Sequence, residues 1–338
     1  MKKSKNNYRT ESDSMGKVKI PKNSLYGPQT QRAINNFDIS DLLMPKEFIV
    51  STLLIKKAAA VANFKLGLID KKVSTAITRS VEYLLSNYNQ ENFPVDVFQT
   101  GSGTSTNMNV NEVISNIAKI KFKTKVHPND HVNMSQSSND VIPTAINHCA
   151  YYLAVTKLLP SLTILSKDIG IKSKKLSKIV KTGRTHLMDA MPITFGQELS
   201  GWKAQIDDNI ISLKNCLSRL KRLPIGGTAV GTGINAHKLF TKEFLIAINK
   251  GNKVKYILKK NKFEGLSSQD DAVLYSSHLK SLAVSLIKIS NDLRWMNSGP
   301  DSGISDITLK ALQPGSSIMP GKVNPVISES SIMACSQV

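Results

Sequence analysis

The residues best suited to chemistry lie in one short loop, which places a serine, a lysine and an asparagine close together. The loop reads Gly315-Ser-Ser-Ile-Met-Pro-Gly-Lys-Val-Asn-Pro325. Removing a proton from a carbon beside a carboxylate creates a doubly negative, enolate-like species, which needs fixed positive charge and hydrogen-bond donors. Lys322 and Asn324 are residues of those types. The loop therefore fits elimination chemistry next to a carboxylate, with Ser316 as the candidate base.

The surroundings of Ser316 decide whether it can act as a base. A serine hydroxyl is a weak base, and only neighbours that favour its alkoxide make it competent. Pro325, preceded by Asn324, predicts the start of a helix, whose free N–H groups and positive dipole end stabilise an anion. From composition alone such a loop is an ordinary solvated connector. The loop nevertheless matches one of several sequence blocks described next, and this match favours a catalytic loop over a connector.

Five segments in order resemble the signature blocks of the fumarase/aspartase superfamily. The run from Tyr26 to Phe37 extends the similarity to essentially the whole chain. Five blocks in family order leave little room for coincidence. The blocks are Thr100–Thr104 leading to Asn107–Glu112, His127–Asp130 leading to Ser135–Asp140, Gly183–His186, Gly226–Gly233 and Gly315–Pro325.

Three positions within these blocks favour the class II fumarase branch over the branch that acts on aspartate. The aspartate branch typically has Gln after Arg-Thr, Ala after Met-Pro, and Ser-Thr-Asn-Asp in the third block. This chain has His186, Gly321 and the sequence Ser-Ser-Asn-Asp at 137–140. His186 matters most because it can exchange protons near neutral pH. The resemblance implies reversible hydration of fumarate to (S)-malate, with no organic cofactor.

The resemblance also implies roles for individual residues. Ser316 would take the proton, and His186, polarised by Glu329, would protonate the departing hydroxyl. The implied catalytic residues are Ser316, His186, Lys322, Asn324 and Glu329. The implied substrate-binding residues are Ser102, Gly103, Thr104, Ser137, Ser138, Asn139, Thr185 and Ser317. A secondary, entrance-side dicarboxylate site would use His127, Pro128, Asn129 and Asp130.

Each of these residues also has a plain structural interpretation. Ser137–Asn139 precedes a predicted helix and could be only an N-cap, and a lone histidine such as His186 is often structural. Glu329 in the first turn of a helix suits the helix dipole without any catalytic role. The pair His127 and His131 is not expected to bind a metal, because Pro128 argues against a regular helix there.

Other site classes are not supported by the glycine-rich segments. Gly101-Ser-Gly103 lacks the third glycine of a dinucleotide motif, and no lysine follows it at the P-loop spacing. Gly226–Gly233 fails the P-loop test likewise. None of the candidate site serines lies in a Gly-x-Ser-x-Gly nucleophile elbow.

The periodicity of apolar residues predicts a mainly α fold, with a mixed N-terminal domain at 1–134 and a long-helix bundle at 135–338. His186 is expected just outside the start of the second long helix, and Pro143 within the first turn of the helix before it. Shorter helices are predicted at 46–68 and 75–87. Four long helices are predicted. The first begins at residue 141, and the second runs from about 192 to 220 with Asp189 or Thr194 at its start. The third covers 270–297, and the fourth begins at 325.

The resemblance implies that such helices form the core of a homotetramer, with each active site shared by three subunits. The chain ends at Val338 while its last helix is still in pattern, whereas family members continue. We therefore expect that the C-terminal domain of the family is missing. A cut helix would leave apolar faces of its neighbours exposed, which puts assembly in question.

Composition limits the choice of partners and compartment. The 45 Lys and Arg against 25 Asp and Glu give a net charge of +20, but the lysines are scattered over predicted solvated faces, as in the pairs at 56–57 and 259–260. The densest group, at 119–125, carries one aromatic residue, Phe122, so no nucleic-acid partner is expected. Three separated cysteines, no convincing signal peptide and no apolar run of membrane-spanning length predict a cytoplasmic protein without a membrane partner.

Three positions depart from the fumarase pattern. Thr124 stands where a basic residue is usual, Met134 where a lysine is usual, and Asp301 where an arginine is usual. Thr124 weakens the expected entrance site, and the catalytic set is intact. Three hypotheses remain open: an active fumarase, an aspartate ammonia-lyase or related lyase, and a non-catalytic remnant.

Overall fold

The computed structural model describes residues 7–251, 254–319 and 321–338, and it confirms the mainly α prediction. These residues form two compact units. The first unit contains the described residues up to Tyr152 together with Leu220–Asp270, and the second contains Leu153–Arg219 together with Asp271–Val338. The units are drawn differently from the expected domains 1–134 and 135–338, so that division stays a prediction.

The first unit begins with a β-hairpin and continues with helices. The hairpin is antiparallel, with Tyr8 opposite Pro21 and Asp13 opposite Gly16. A 3₁₀ turn at Gln90–Asn92 and a π-helical turn at Pro128–Val132 interrupt the helical part. The elements are β1 (Tyr8–Asp13), β2 (Gly16–Pro21), α1 (Pro28–Asn36), α2 (Lys46–Lys65), α3 (Lys71–Ser86), α4 (Thr104–Phe122) and α5 (Ser138–Leu153).

Helix α2 lies at the centre of the first unit. It is buried on nearly all sides because it packs against α3, α4 and a later helix, α8 (Phe240–Asn249). Leu53 on α2, Ile77 on α3 and Ile114 on α4 are fully buried in one cluster. Burying each such side chain stabilises the unit by about 1.5–3 kcal/mol relative to exposure. The three helices therefore form a rigid support for the loops between them.

The glycine-rich block 226–233 is bound to the start of α5 by a buried carboxylate. Asp140 accepts hydrogen bonds from the backbone N–H groups of Gly226 (2.8 Å) and Thr228 (2.9 Å). These two N–H donors of the glycine block are therefore used by the chain itself. The remaining elements of the first unit, besides α8, are β5 (Arg222–Leu223), β6 (Ile257–Leu258) and α9 (Lys262–Ser267), with β5 and β6 paired in parallel.

The second unit is built from long helices. Its core includes Trp202, Ile206 and Leu213 from one helix and Leu282 and Ile289 from another. The indole N–H of Trp202 reaches the carboxylate of Asp292, so the buried ring keeps a polar partner. The elements are α6 (Leu159–Lys175), β3 (Val180–Thr185), β4 (Met188–Thr194), α7 (Phe195–Leu220), α10 (Asp270–Met296) and α11 (Val326–Gln337).

Most predicted helices are present, but some boundaries differ. Helix α10 ends within one residue of its prediction, and the threonine prediction for the start of α7 is confirmed because the Thr194 hydroxyl accepts from the N–H of Gln197. Asp189 instead lies in β4. Helix α5 begins at Ser138, so Pro143 lies in its second turn and not in its first, and it removes one helical hydrogen bond there.

One helical stretch is longer and more apolar than expected. Helix α5 continues through a π-helical turn at Ala154–Leu158 into α6, and the whole stretch Ser138–Lys175 spans 38 residues with a window of mean hydropathy 1.3. The expectation that no run approaches membrane-spanning length was therefore wrong for the described part of the chain. Length and composition alone are weak evidence for a membrane span, and only 17% of that window is buried.

Candidate active site

The loop between α10 and α11 is closed by its own backbone. The N–H of Gly315 donates to the carbonyl of Lys322 (2.8 Å), and the amide of Asn324 donates to the carbonyl of Gly315 (3.2 Å). A Cβ on Gly315 would lie 2.8 Å from Oδ1 of Asn324, so a glycine is needed for this approach. The loop therefore brings its two ends, residues 315 and 322–324, side by side.

Ser316 lies inside this closed loop, and its hydroxyl oxygen faces backbone donors. Its Oγ accepts from the N–H groups of Ile318 (3.3 Å) and Met319 (3.2 Å). Donors aimed at a hydroxyl oxygen favour its deprotonated form. Ser316 is half-buried, and Ser317 beside it is exposed. The local geometry thus supplies part of the stabilisation that a serine base requires.

Three of the sequence-predicted catalytic residues line one cavity of about 620 Å³, namely Lys322, Asn324 and Glu329. Asn297 and Arg294 from the end of α10 line the same cavity. Ser316, Thr185 and His186 do not line it. Glu329 lies in the first turn of α11, as predicted.

The start of α11 differs from its prediction in one respect. The helix begins at Val326 with Pro325 as its cap, and no side chain caps it. The Asn324 side chain turns back to Gly315 instead of capping the helix. The N-terminal N–H groups of α11 therefore lack a side-chain partner from this cap.

His186 lies at the tip of a β-hairpin, and not next to a helix start as expected. Strands β3 and β4 pair up to Thr185 opposite Met188, so His186 and Leu187 form a two-residue turn. Both have positive φ, 53° and 63°. This is the pattern of a type I′ turn, which normally takes Asn and Gly, so the backbone at His186 is strained. His186 and Thr185 are both exposed at this tip.

Ion pairs hold strand β3 of this hairpin within the second unit. The Arg184 guanidinium donates to both oxygens of Asp306 (2.6 and 3.2 Å), and Lys181 lies 3.3 Å from the same carboxylate. Burial works to raise the pKa of Asp306, but the hydrogen bonds from Arg184 and Lys181 outweigh it and hold that pKa below its usual range. Asp301, one of the departures, lines a cavity with Leu187 at the hairpin tip.

In the first unit, the glycine turn before α4 packs against the start of α5. Gly103 has φ of 67°, and a Cβ there would lie 2.9 Å from the Ile142 side chain. The hydroxyls of Ser102 and Thr104 are 2.7 Å apart. Because the N-termini of α4 and α5 meet here, the structure brings the predicted binding turns 102–104 and 137–139 to one place.

The turn 137–139 is fixed by hydrogen bonds. The N–H of Ser137 donates to Asp140 (2.9 Å), and the amide of Asn139 donates to the carbonyl of Ala229 (2.8 Å). The Ser138 hydroxyl oxygen accepts from the amide of Asn107 (3.0 Å). The predicted helix start at this turn is confirmed.

The predicted secondary site lies on the π-helical turn 128–132. Nδ1 of His127 accepts from the N–H of Asp130 (3.1 Å) and lies 3.1 Å from the Asp130 carboxylate. Pro128 is the first residue of the turn, which starts the local helical geometry. Thr124, the departure nearby, is buried and its hydroxyl donates to the carbonyl of Phe122. The use of Asn129 and its neighbours as a dicarboxylate site stays a prediction.

Three buried ionisable residues were missed by the sequence reasoning. Lys56, expected on a solvated face, is fully buried, and so is Asp140. Burial lowers the pKa of Lys56 to about 7, against the attraction of Asp140, and burial raises the pKa of Asp140 to about 6. Helix α2 has apolar residues around most of its circumference, which indicated that a lysine in its middle could be buried but not whether Lys56 or Lys57 would be. Lys259 is likewise buried, in an ion pair with Glu264.

No group of three or more His, Cys, Asp or Glu side chains is placed to hold a metal ion within residues 7–251, 254–319 and 321–338. The three cysteines are free thiols, and Cys216 is buried.

Comparison with known proteins gives consistent matches over nearly the whole chain. A family model described as lyase matches residues 16–338. A class II fumarate hydratase from Xylella fastidiosa (strain 9a5c) is 51% identical over 331 residues, covering 98% of this chain and 70% of that protein. A second such enzyme, from Pseudomonas aeruginosa, is 50% identical over 98% of this chain and 72% of its own length.

Solved structures agree with these sequence matches. A class II fumarase from Schistosoma mansoni has a TM-score of 0.92 at 40% identity, over 98% of this chain and 74% of that one. A fumarate lyase:delta crystallin from Brucella melitensis, bound to cobalt, has a TM-score of 0.90 at 39% identity, over 98% of this chain and 73% of that one.

Proposed function

The chain belongs to the lyase family, and from this premise we propose that it catalyses the reversible hydration of fumarate to (S)-malate. The matched relatives described above are class II fumarate hydratases or fumarases, together with one fumarate lyase:delta crystallin. Aspartate ammonia-lyase activity is not favoured by these relatives, and neither is the loss of activity. His186 agrees with this choice, because it supplies an imidazole where the aspartate branch has an amide.

One observation carries the proposal most directly. The Ser316 oxygen accepts two backbone N–H groups within a loop whose other end presents Lys322 and Asn324 to a cavity. In the malate-to-fumarate direction, the Ser316 alkoxide takes a proton from the carbon beside one carboxylate. The electron pair of the broken C–H bond moves into that carboxylate and gives the dianion. Lys322, Asn324 and Thr185 stabilise the added charge.

The second half of the reaction releases the hydroxyl from the neighbouring carbon. His186, polarised by Glu329, gives a proton to the departing hydroxyl, which leaves as water while the dianion collapses to fumarate. The exposed position of His186 at a turn allows the imidazole to take up a new proton from solvent afterwards, and the Ser316 hydroxyl must return its proton to solvent before the next turnover. Hydration is the same path in reverse.

The other carboxylate of the substrate is assigned to the meeting point of α4 and α5. Ser102, Thr104 and Ser138 supply hydroxyls there, and the N-termini of both helices favour negative charge. Gly103 allows the close approach of the two turns. Ser137, Asn139 and Ser317 complete the proposed binding set, and residues 127–130 form the proposed secondary site.

Assembly into a homotetramer, with each active site shared by three subunits, is part of the proposal. Large apolar side chains are exposed along the long helices of the second unit, where solvent contact is costly. They include Ile164, Ile171, Ile211, Val284, Ile327 and Met333. The cytoplasm is the proposed location, on the similarity to bacterial fumarate hydratases.

The activity is tested by following fumarate formation in the ultraviolet from malate and, separately, from aspartate. We expect product from malate and none from aspartate. Product from aspartate alone would replace the hydratase assignment with an ammonia-lyase, and no product from either substrate would support the non-catalytic hypothesis.

The Ser316→Ala substitution tests the proposed base. We expect kcat for malate to fall by about 10²–10⁴-fold, the usual contribution of a general base, while KM stays measurable. Ser86→Ala, at the exposed end of α3, is the matched control and should leave both constants unchanged. Near-normal turnover by Ser316→Ala would remove the serine from its role.

A further inference from the structure

Lys56 reaches from the core of the first unit to the segment that precedes the binding turn 137–139. Its Nζ donates to Oδ1 of Asn133 (2.8 Å) and to Oε1 of Gln136 (3.0 Å). The side chain is fully buried, so these two oxygens take the place of water. Neighbouring Lys57 is half-buried and pairs with Glu82 at 2.7 Å, away from this segment.

Lys56 helps to determine which way the Asn133 amide points, together with the amide of Asn111, which donates to the same oxygen at 3.3 Å. A lysine side chain donates hydrogen bonds to oxygens, and even its neutral form has the two N–H groups that these two contacts need. Asn133 must therefore turn its oxygen towards Lys56 and its nitrogen away, and that nitrogen donates to the carbonyl of Gln136 (3.2 Å). The amide is held at both ends.

The orientation of Asn133 sets that of Asn107. Because Oδ1 of Asn133 is an acceptor, Asn107 approaches it with its amide nitrogen, at 3.1 Å. The same nitrogen donates its second hydrogen to Oγ of Ser138, at 3.0 Å. Ser138 accepts here, so its own O–H hydrogen points elsewhere and is available to a substrate carboxylate.

The opposite orientation of the Asn133 and Asn107 amides would use up this hydrogen. Oδ1 of Asn107 is buried and has no hydrogen-bond partner among the described residues. If Asn133 and Asn107 both flipped, this oxygen would accept from the Asn133 amide and from the Ser138 hydroxyl. The flip would thus remove a donor from the binding site, and it is opposed by the Asn133 contacts with Lys56, Asn111 and Gln136.

We propose that Lys56 is a positioning residue for substrate binding: through Asn133 and Asn107 it keeps the Ser138 hydroxyl free to donate to the substrate carboxylate. The inference rests on the proposed function, because it takes the turn 137–139 as the place where a carboxylate binds. Lys56 itself does not touch the substrate. Its N–H groups help to fix the orientation of the Asn133 amide, and that amide fixes the orientation of the Asn107 amide next to Ser138.

The test is a double-mutant cycle on malate turnover with the purified full chain, using Lys56→Met, Ser138→Ala and the pair. Lys56→Met should raise KM by about tenfold or more, the worth of a hydrogen bond to a charged group, with a smaller change in kcat. Ser138→Ala should do the same, and the double variant should be no worse than either single one, because both remove the same donor. Lys57→Met is the matched control and should keep wild-type constants.

A purely structural role for Lys56 would give a different result. In that case the melting temperature would fall, and the effects of Lys56→Met and Ser138→Ala on KM would multiply; that outcome, or an unchanged KM in Lys56→Met, overturns the inference. If Lys56→Met does not fold, Asn133→Ala takes its place in the same cycle, because it removes the next link. If the wild-type chain turns over malate but the two substitutions have multiplicative effects on KM, only this inference is rejected. If the wild-type chain does not turn over malate, the proposed function is rejected and this inference with it.

Discussion

At the scale of single residues, burial sets the ionisation of His148 on α5. The ring is almost completely buried, its Nδ1 lies 3.0 Å from the Ser51 hydroxyl, and it stacks on Tyr256 with ring centres 4.6 Å apart. Burial lowers the pKa of His148 to about 4, because the site favours the neutral imidazole.

His148 should make the first unit less stable in weak acid. Its pKa is lower in the folded state than in the unfolded chain, so its contribution is complete above about pH 6.5 and is lost as the pH falls towards 4. Between pH 7.5 and 5.0 we expect a loss of about 2 kcal/mol in the free energy of unfolding. Denaturant unfolding at both values should show this loss for the wild type and a clearly smaller one for His148→Gln. Equal losses would rule out His148 as the source.

The proposed reacting residues could be identified from sequence, whereas their supporting residues could not. Ser316, Lys322 and Asn324 fall in one continuous string whose residue types already suit a dianion. Lys56 acts on residues about 50 to 80 positions away through contacts that only the folded chain creates. A pair of adjacent lysines gives no local sign that one of them is buried and the other is not.

At the scale of elements, the hairpin of β3 and β4 determines where His186 lies. Its tip is a strained two-residue turn, and its strand β3 is held by ion pairs from Arg184 and Lys181 to Asp306. Asp306 belongs to the segment that follows α10, so the position of the histidine depends on a residue about 120 places further along the chain.

Loss of the Asp306 carboxylate should therefore impair proton transfer without touching the substrate. We expect Asp306→Asn to lower kcat/KM for malate by about 10- to 100-fold, since small displacements of a reacting group are costly. Asp189→Asn is the control, because Asp189 lies 3.6 Å from Arg184 with an 83% exposed side chain, and such a pair contributes little. Similar activity in the two variants would show that the ion pair does not position His186.

The long helices could be predicted because their apolar periodicity extends over many turns. The hairpin could not, because residues 188–194 are mostly exposed on both faces and show no alternation of buried and exposed positions. Pro192 also suggested the first turn of a helix. The tertiary contacts of Arg184 stabilise a pair of strands that local sequence does not specify.

At the scale of the whole molecule, the proposed sharing of active sites can be tested by mixing inactive variants. Ser316→Ala and His186→Asn should each be inactive. If different subunits supply the two residues, unfolding and refolding an equal mixture should restore up to about a quarter of wild-type activity, because a quarter of the sites then contain neither substitution. Mixing without unfolding is the control. No recovery in mixed assemblies confirmed by mass spectrometry would contradict the shared site.

The division of the chain into units could not be predicted from the order of segments along it. The sequence changes character near residue 140, and this change suggested a boundary there. The first unit nevertheless includes Leu220–Asp270, whose α8 packs on α2. Such distant pairing depends on tertiary packing, which composition and periodicity along the chain do not encode.

The interleaving of the two units has a consequence for synthesis on the ribosome. Residues 153–219 emerge from the exit tunnel before α8 exists, so α2 stays without one of its packing partners while about 175 residues are added between the two helices. The nascent chain therefore carries an uncovered apolar surface on α2 throughout that interval. This is the stage at which a ribosome-bound chaperone would do most to prevent aggregation.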